Sequence, residues 1–206
     1  MLHYTGPHDY FNERYVRQWT NLANLERPFR TEFFDAFAAE LRTLSSPRVL
    51  DLGSGPGFLA EHVLSTCDIG QYHLFDFSPY MLAGSRARLV NFSDRVGFHD
   101  GNFLRDGWWQ KLPAPFDAIV SLQAVHEVRD ANRIPQLYRE LRSVLRDGGI
   151  ALIADEVNTG DRKQKHLLSV HGHGEALSNA GFSLFRQVYA AGDLVMFSAT
   201  ASSSSV

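Results

Sequence analysis

The sequence predicts an α/β protein with a mostly parallel sheet of seven strands. Short apolar runs suited to buried parallel strands alternate with segments of helical periodicity. Within residues 49–59, an apolar run ends in an acid and leads through a glycine-rich turn into a helix, the first half of a parallel strand–helix unit. Two strand-like segments joined by a tight turn, residues 182–198, predict a terminal β-hairpin with an antiparallel last strand.

The composition is that of one globular domain without a strong charge bias. The 206 residues are 44% hydrophobic and 21% charged, and the net charge is -3. Because no long run of Lys or Arg is present, we expect no nucleic-acid partner. No apolar run is long enough to span a bilayer, so we expect no membrane partner. The single cysteine, Cys67, and the lack of a signal-peptide core favour a cytoplasmic location.

Two amphipathic helices are predicted before the first strand. Apolar residues recur at three- and four-residue spacing in two sets: Phe11, Tyr15, Trp19 and Leu22, then, after Pro28, Phe33, Phe37, Leu41 and Leu44. The second set is typical of a helix that packs on a sheet. The aromatic residues of the first helix suit either core packing or a cation–π contact with a ligand.

The loop after the first strand is the clearest local signal. Gly53, Gly55 and Gly57 alternate there, and glycine is needed where the backbone takes positive φ or lies close to a ligand. The helix start beyond the loop exposes backbone amides suited to a polar or anionic group. A dinucleotide fingerprint would need glycine at the position of Phe58, and a P-loop would end in a lysine that this loop lacks.

The second predicted strand, residues 72–75, is closed by an acid. Asp76 lies roughly twenty residues beyond the glycine loop, where a carboxylate can accept hydrogen bonds from both hydroxyls of a ribose. An acid at this place could instead cap the next helix, but Ser78 is the better cap for a helix over residues 80–90. Asp76 can therefore bind a ribose while Ser78 caps the helix.

Residues 96–99 are the third predicted strand, and residues 116–122 are the fourth. The chain between them, residues 104–115, is predicted as a surface loop that carries Trp108 and Trp109.

The fourth strand leads into a segment that contains His126. Histidine is suited to accept a proton near neutral pH. An equally good alternative is that His126 only orients a substrate or packs beneath the site.

The last third of the chain begins with an amphipathic helix over residues 133–145 and a fifth strand over residues 150–155. A short basic segment follows, which its glycines predict to be a loop; it carries Lys163, Lys165, His166, His171 and His173. No third ligand lies near the histidines in sequence, so we expect no metal site.

Taken in order, these segments resemble the class I S-adenosylmethionine (SAM) dependent methyltransferases. The resemblance lies in Asp51-x-Gly53-x-Gly55-x-Gly57, in Asp76, in Gly101-Asn102-Phe103, in Ala124-Val125-His126-Glu127-Val128 and in Leu145-x-x-Gly148-Gly149. It implies a Rossmann-like, doubly wound seven-stranded sheet with helices on both faces. It also implies an N-terminal helical lid (1–46), a SAM-binding core (47–200) and a flexible tail (201–206).

The resemblance further implies which residues form the site. The expected cofactor-binding residues are Asp51, Gly53, Ser54, Gly55, Gly57, Asp76, Phe77, Met81, Asp100, Asn102, Phe103, Ser121 and Gln123. His126 is the expected catalytic residue, and Tyr15, Arg30, His171 and His173 are expected at the substrate. Two departures stand out: Asn102 replaces the family's adenine-binding acid, and Glu127 replaces the second histidine of a His-His pair.

We therefore expect an enzyme that binds SAM, releases S-adenosylhomocysteine (SAH) and methylates an O or N atom of a small metabolite. Basic residues at 162–165 with Arg27 and Arg30 suggest an anionic group on that metabolite. Two alternatives are a protein side-chain methyltransferase and a SAM-binding module without catalysis. The absence of an Asn/Asp-Pro-Pro-Tyr/Phe segment argues against methylation of nucleic-acid bases. We expect a monomer or a homodimer.

Overall fold

The computed structural model describes residues 8–26, 29–160 and 166–203, and the fold is built on one seven-stranded sheet. In chain order the strands are β1 (Arg48–Leu52), β2 (Gln71–Asp76), β3 (Val96–Asp100), β4 (Phe116–Leu122), β5 (Leu145–Glu156), β6 (Phe182–Ala191) and β7 (Leu194–Ala201). Their spatial order is β3-β2-β1-β4-β5-β7-β6. β1 to β5 pair in parallel, whereas β7 is antiparallel to both β5 and β6. The predicted fold class is confirmed.

The described helices are α1 (Glu13–Glu26), α2 (Arg30–Leu41), α3 (Phe58–Thr66), α4 (Pro79–Arg88), α5 (Ile134–Val144) and α6 (Val170–Asn179). Short 3₁₀ turns lie at Val90–Phe92, Trp108–Lys111 and Val125–Val128. The start of α4 agrees with the predicted cap, because the Ser78 hydroxyl accepts a hydrogen bond from the Met81 amide at 3.2 Å. In the described part of the chain, no helix combines the length and the apolar character that a membrane crossing requires.

Helices cover both faces of the sheet. Leu50 and Leu52 of β1 belong to an apolar cluster with side chains of α5 and α6, whereas Val49 belongs to a second cluster with side chains of α2 and α3. Because successive side chains of a strand point to opposite faces, a strand buried on both sides must be apolar almost throughout. This requirement explains the near-continuous apolar runs in the sequence.

The prediction of a loop before Gly181 is wrong, because residues 170–179 form α6. The Ser169 hydroxyl caps this helix by accepting a hydrogen bond from the Gly172 amide at 3.1 Å. Gly174 allows close packing, since a Cβ there would lie 3.1 Å from Phe185 Cδ1. The glycines of this segment are therefore compatible with a helix packed against β6.

Two further expectations differ from the structure. Trp108 does not lie on the surface, because only 6% of it is exposed and its indole N–H donates to Glu140 Oε2 at 2.9 Å. β5 begins at Leu145 rather than at residue 150, since Leu145 already pairs with Phe116 of β4.

The strand order places the carboxyl ends of four strands side by side. β2, β1, β4 and β5 are parallel neighbours, so their carboxyl ends meet at one edge of the sheet. Connections run in opposite directions from β1 and β4, which leaves a crevice between them. Asp51, Asp76 and Asp155 all lie at this edge, in or next to the last residue of their strands.

Candidate active site

A cleft of about 970 Å³, counting its open mouth, lies at the carboxyl ends of the parallel strands. Its walls come from the N-terminal segment, α1, α2, the glycine loop, the start of α4 and the turn after β4. The lining residues are His8, Tyr10, Trp19, Arg30, Asp51, Gly53, Ser54, Gly55, Pro56, Phe58, Leu59, Asp76, Phe77, Met81, Phe103, Leu122, Gln123, Ala124, His126 and Glu127.

The glycine loop forms the floor of the cleft. Gly53 has φ +69°, and a Cβ on it would lie 2.4 Å from the Cβ of Ala124, so no larger residue fits there. The Gly53 amide donates to the Phe75 carbonyl at 2.8 Å, which fixes the loop to β2. Gly57 has φ +80° and does not line the cleft. A Cβ there would lie 3.0 Å from Ser85 Cβ, so Gly57 allows α3 and α4 to pack.

Asp76 is held by backbone amides at one end of the cleft. The Gly55 amide donates to Oδ2 at 2.8 Å and the Ser78 amide donates to Oδ1 at 2.9 Å. Burial raises the pKa of the Asp76 carboxyl to about 6, the amide hydrogen bonds oppose this rise, and the charge of Asp100 adds to it. The carboxyl group is therefore rigidly oriented and sensitive to its surroundings.

Asp51 lies deeper, at the end of β1, and accepts a hydrogen bond from the Tyr72 hydroxyl at 2.9 Å. Burial raises the pKa of Asp51 to about 7, the Tyr72 hydrogen bond opposes this rise, and the charge of Asp76 adds to it. Two acids therefore share this end of the cleft. A ligand that brings a positive charge or hydrogen-bond donors would favour their ionised forms.

Most of the residues predicted to bind a cofactor line this cleft. They are Asp51, Gly53, Ser54, Gly55, Asp76, Phe77, Met81, Phe103 and Gln123. Gly57, Asp100, Asn102 and Ser121 are not among the lining residues. Ser121 is fully buried and its hydroxyl donates to the Leu52 carbonyl at 3.0 Å, whereas the Asn102 side-chain oxygen accepts from the Leu104 amide at 2.8 Å. Both side chains therefore stabilise the local backbone.

The N-terminal segment crosses the cleft. The Ser78 hydroxyl donates to the Tyr10 carbonyl at 2.5 Å, and the rings of Tyr10 and Phe77 lie edge to face with centroids 5.7 Å apart. The Tyr10 hydroxyl donates to Glu127 Oε1 at 3.4 Å. Tyr10 thus links the Asp76 end of the cleft to the turn after β4.

At the opposite end of the cleft, His126 is paired with Asp155 of β5. The Nδ1–H of His126 donates to Asp155 Oδ1 at 2.6 Å, and the His126 backbone amide donates to Oδ2 at 3.0 Å. Burial alone would lower the pKa of His126. The charges of Asp155, Glu156 and Glu127, together with the Asp155 hydrogen bond, raise it to about 9. His126 is therefore an imidazolium at neutral pH.

Glu127 lies beside His126, and its two carboxylate oxygens have different partners. Oε2 accepts hydrogen bonds from Arg129, at 2.9 Å from Nη2 and 3.2 Å from Nε. Oε1 faces Tyr10 and lies 3.9 Å from His126 Nε2, a distance too long for a hydrogen bond. Glu127 and His126 thus present opposite charges to the same end of the cleft.

Of the four residues predicted at the substrate, one lines the cleft. Arg30 is 7% exposed, and its guanidinium carbon lies 5.8 Å from the Trp19 ring centroid and 5.9 Å from that of Phe58. Tyr15 is buried against Val16 and Met81. His171 is exposed on α6 beside Glu175. The segment at 162–165 and Arg27, also predicted near the substrate, lie outside the described residues.

His173, the fourth of these residues, lies in the core and not in the cleft. Its exposed fraction is 2%, its Nδ1 accepts a hydrogen bond from the Tyr138 hydroxyl at 2.6 Å, and its ring stacks on Phe197. Burial lowers the pKa of His173 to about 4, although the charge of Asp155 acts in the opposite sense. His173 is therefore a neutral core residue.

Sequence reasoning missed Asp155 as a partner of His126. The signal was present, because Asp155 is the acid near the end of a strand that neighbours β4. Only the pairing of β5 with β4 shows that the two residues meet. Among the residues that the structure describes, no three His, Cys, Asp or Glu side chains are grouped so that they could hold a metal ion.

Comparison with known proteins agrees with this arrangement. Residues 49–149 match the sequence profile of a family described as a methyltransferase domain. A malonyl-[acyl-carrier protein] O-methyltransferase from Magnetococcus marinus is 30% identical over 108 residues, which are 52% of this chain and 37% of that protein. The chain thus spans little more than a third of that curated relative's length.

Solved methyltransferases share the fold at lower identity. An O-methyltransferase family protein from Burkholderia thailandensis superposes with a TM-score of 0.74 and 17% identity, covering 95% of this chain and 62% of that one. Human N-acetylserotonin methyltransferase in complex with SAM gives a TM-score of 0.70 and 18% identity, covering 94% and 58%. Residues 49–149 therefore match a methyltransferase domain in sequence, and the chain shares its fold with solved methyltransferases, one of them in complex with SAM.

Proposed function

We propose that this protein transfers the methyl group of SAM to an oxygen or nitrogen atom of a small metabolite. The observation that carries the proposal is that one cleft is lined by the glycine loop, by Asp76 and by His126, whose ring is held from behind by Asp155. The first group of residues suits a cofactor, and the second suits a reacting partner. Their shared cleft allows the two to meet.

The residues at the first end fit the cofactor. The close approach of Gly53 to Ala124 leaves backbone rather than side chain facing the ligand. A carboxylate offers about four acceptor sites, so those of Asp76 that the backbone amides do not use can accept from ribose hydroxyls. The apolar side chains of Phe77, Met81 and Phe103 are suited to pack on adenine. When bound, SAM supplies an electrophilic methyl group on a positively charged sulfur.

At the second end, His126 is proposed to position the acceptor. Because its pKa is about 9, the imidazolium offers the Nε2–H as a hydrogen-bond donor at neutral pH, while Asp155 fixes the ring through Nδ1. Alignment of an acceptor with the methyl group supplies a large part of the rate in such a displacement. The N-terminal segment with His8 and Tyr10 covers the cleft and is proposed to act as a lid that excludes water.

The substrate is proposed to be small and to carry an anionic group. Arg30 supports this, because it places a buried positive charge in the wall of the cleft. An acid carried on an acyl carrier protein is a second candidate acceptor, which the name of the M. marinus relative favours. Carrier-bound and free acids can be offered in the same assay.

The proposal is tested in two steps. Isothermal titration calorimetry with SAH should show binding, whereas NAD should not bind. Methyl-labelled SAM is then offered with phenols, primary amines, free carboxylic acids and an acyl carrier protein. Label in a small product supports the proposal, and label in protein supports the alternative of protein methylation. SAH binding without any product would indicate a module without catalysis.

The variant His126→Ala tests the second end of the cleft. We expect turnover to fall by about 100-fold with SAH affinity kept within about twofold, since His126 is proposed to contact the acceptor and not the cofactor. Unchanged turnover would remove His126 from the mechanism. A loss of SAH affinity would place it at the cofactor instead.

A further inference from the structure

The turn after β4 presents two ionisable side chains, and the proposed function uses only His126. Glu127 also lines the cleft, and its side chain is 23% exposed, as is that of His126. The two side chains face each other, with His126 Nε2 and Glu127 Oε1 3.9 Å apart. At this distance the two atoms do not hydrogen-bond to each other.

The partners of Glu127 determine which of its oxygens is available. Arg129 binds Oε2 through two guanidinium nitrogens, so this oxygen is directed to the rim. Oε1 is directed toward Tyr10 and His126, which both line the cleft. Arg129 therefore orients the carboxylate so that one oxygen faces the reaction space.

We propose that Glu127 Oε1 accepts the proton released by the methyl acceptor, while His126 donates a hydrogen bond that holds the acceptor in place. This inference rests on the proposed function and assigns the proton transfer within the same cleft. It gives the two side chains opposite tasks. The pairing of His126 with Asp155 makes the histidine a donor, and the salt bridge to Arg129 orients the glutamate so that Oε1 is the accepting atom.

The step balances in atoms and charge. The acceptor atom forms a bond to the methyl carbon as the carbon–sulfur bond breaks, and the electron pair of that bond remains on sulfur. The proton of the acceptor moves to Glu127 Oε1 and later to water. The net change is a methylated product, SAH and one proton released.

The protonation state of His126 supports this division of roles. An imidazolium has no lone pair with which to take a proton, and the pKa of His126 is raised to about 9. The groups that act on this pair are Asp155 and Glu156 from β5, Arg129 from the same turn, and Tyr10 from the N-terminal segment. To accept the proton of the methyl acceptor, His126 would first have to lose one of its own ring protons.

The test compares Glu127→Gln with the matched control Glu156→Gln, using the fastest acceptor from the panel above. Both variants remove one carboxylate near His126, but Glu156 does not line the cleft. We expect Glu127→Gln to lower kcat by about 100-fold or more, and Glu156→Gln to stay within about twofold of the wild type. SAH affinity and thermal unfolding should be unchanged in both, which excludes a folding defect.

A pH profile and histidine NMR complete the test. We expect the wild-type rate to fall above pH 9, as His126 loses its proton. A rate that rises tenfold per pH unit up to 9 would instead make His126 the proton acceptor and overturn the inference. Equal activity of the two variants would also overturn it. The inference would also be overturned if the fastest acceptor is methylated on a carboxylate oxygen, because a carboxylate has no proton to give.

Nitrogen-15 shifts of His126 give a readout that needs no turnover. Protonation of both ring nitrogens at pH 7 supports the inference, and a neutral ring overturns it. If SAH binds but no acceptor reacts, the proposed function fails and the inference fails with it, whereas an acceptor that reacts while the His126 ring is neutral overturns the inference alone. The two failures are therefore distinguishable.

Discussion

His126 and His173 are both largely buried histidines that hydrogen-bond through Nδ1, yet they differ in charge and in access to the cleft. His126 is bound to Asp155 at 2.6 Å and its pKa is raised to about 9, whereas His173 is bound to Tyr138 at 2.6 Å and its pKa is lowered to about 4. Burial lowers both pKa values. The charge of the partner decides the outcome, because a carboxylate stabilises an imidazolium and a neutral hydroxyl does so much less.

The surroundings match these charges. His126 opens into the cleft, where a charged donor can reach a ligand. His173 stacks on Phe197, with ring centroids 5.0 Å apart, in a place where a charge would be costly. Sequence placed both residues at the site. The comparison indicates that the partner and the access to the cleft, and not the residue type, separate a histidine suited to a reaction from one suited to the core.

Among the variants that test this comparison, the largest effect is expected from Asp155→Asn, which makes the partner of His126 neutral. The pKa of His126 should fall, because the main charge that raises it is gone. We expect turnover to fall by about 100-fold at pH 7 with SAH affinity retained. Steady-state kinetics and calorimetry measure the two quantities. Turnover equal to that of the wild type would show that the charge of His126 is irrelevant to the reaction.

A smaller effect is expected from His173→Ala, and on stability instead of chemistry. The substitution leaves a cavity beside Phe197 and removes the partner of the Tyr138 hydroxyl, so the free energy of unfolding should fall by about 2–3 kcal/mol. Urea unfolding measures this change. SAH affinity and turnover below the melting transition should stay within about twofold. A selective loss of turnover would return His173 to the substrate site.

The most gradual effect, a slope of no more than about 1.4 kcal/mol per pH unit for each group, is expected in the pH dependence of the free energy of unfolding. The pKa of His126 is raised, so its contribution is full below pH 6.5 and is lost as pH rises through about 9. The pKa of His173 is lowered, so its contribution is full above pH 6.5 and is lost as pH falls toward about 4. Urea unfolding across pH 4–10 gives the free energy of unfolding as a function of pH. In this plot His126→Gln should reduce the pH dependence at the alkaline end, and His173→Ala should reduce it at the acidic end. A change at the same end in both variants would refute the direction of one of the two pKa shifts.

The end of the cleft that contains the glycine loop and Asp76 was predictable because its residues are close in sequence. Gly53 and Gly55 follow β1 directly, and Asp76 ends β2, so the order of local elements brings them to one edge of the sheet. The alternation of apolar and polar segments predicted the strands and five of the helices in the same way. α6 was not predicted, because glycine in a sequence favours a loop, and the close packing of Gly174 against Phe185 is visible only in the tertiary structure.

By itself, the sequence determined the α/β class, the order of the strands along the chain and the position of the glycine loop after the first strand, since these depend on local periodicity and on residues a few positions apart. Only the tertiary structure decided what His126 can do. Asp155 lies 29 residues away and reaches His126 through the pairing of β5 with β4, and Tyr10 reaches Glu127 across 117 residues. The charge of a buried side chain depends on groups in space around it, and spacing along the chain does not specify them.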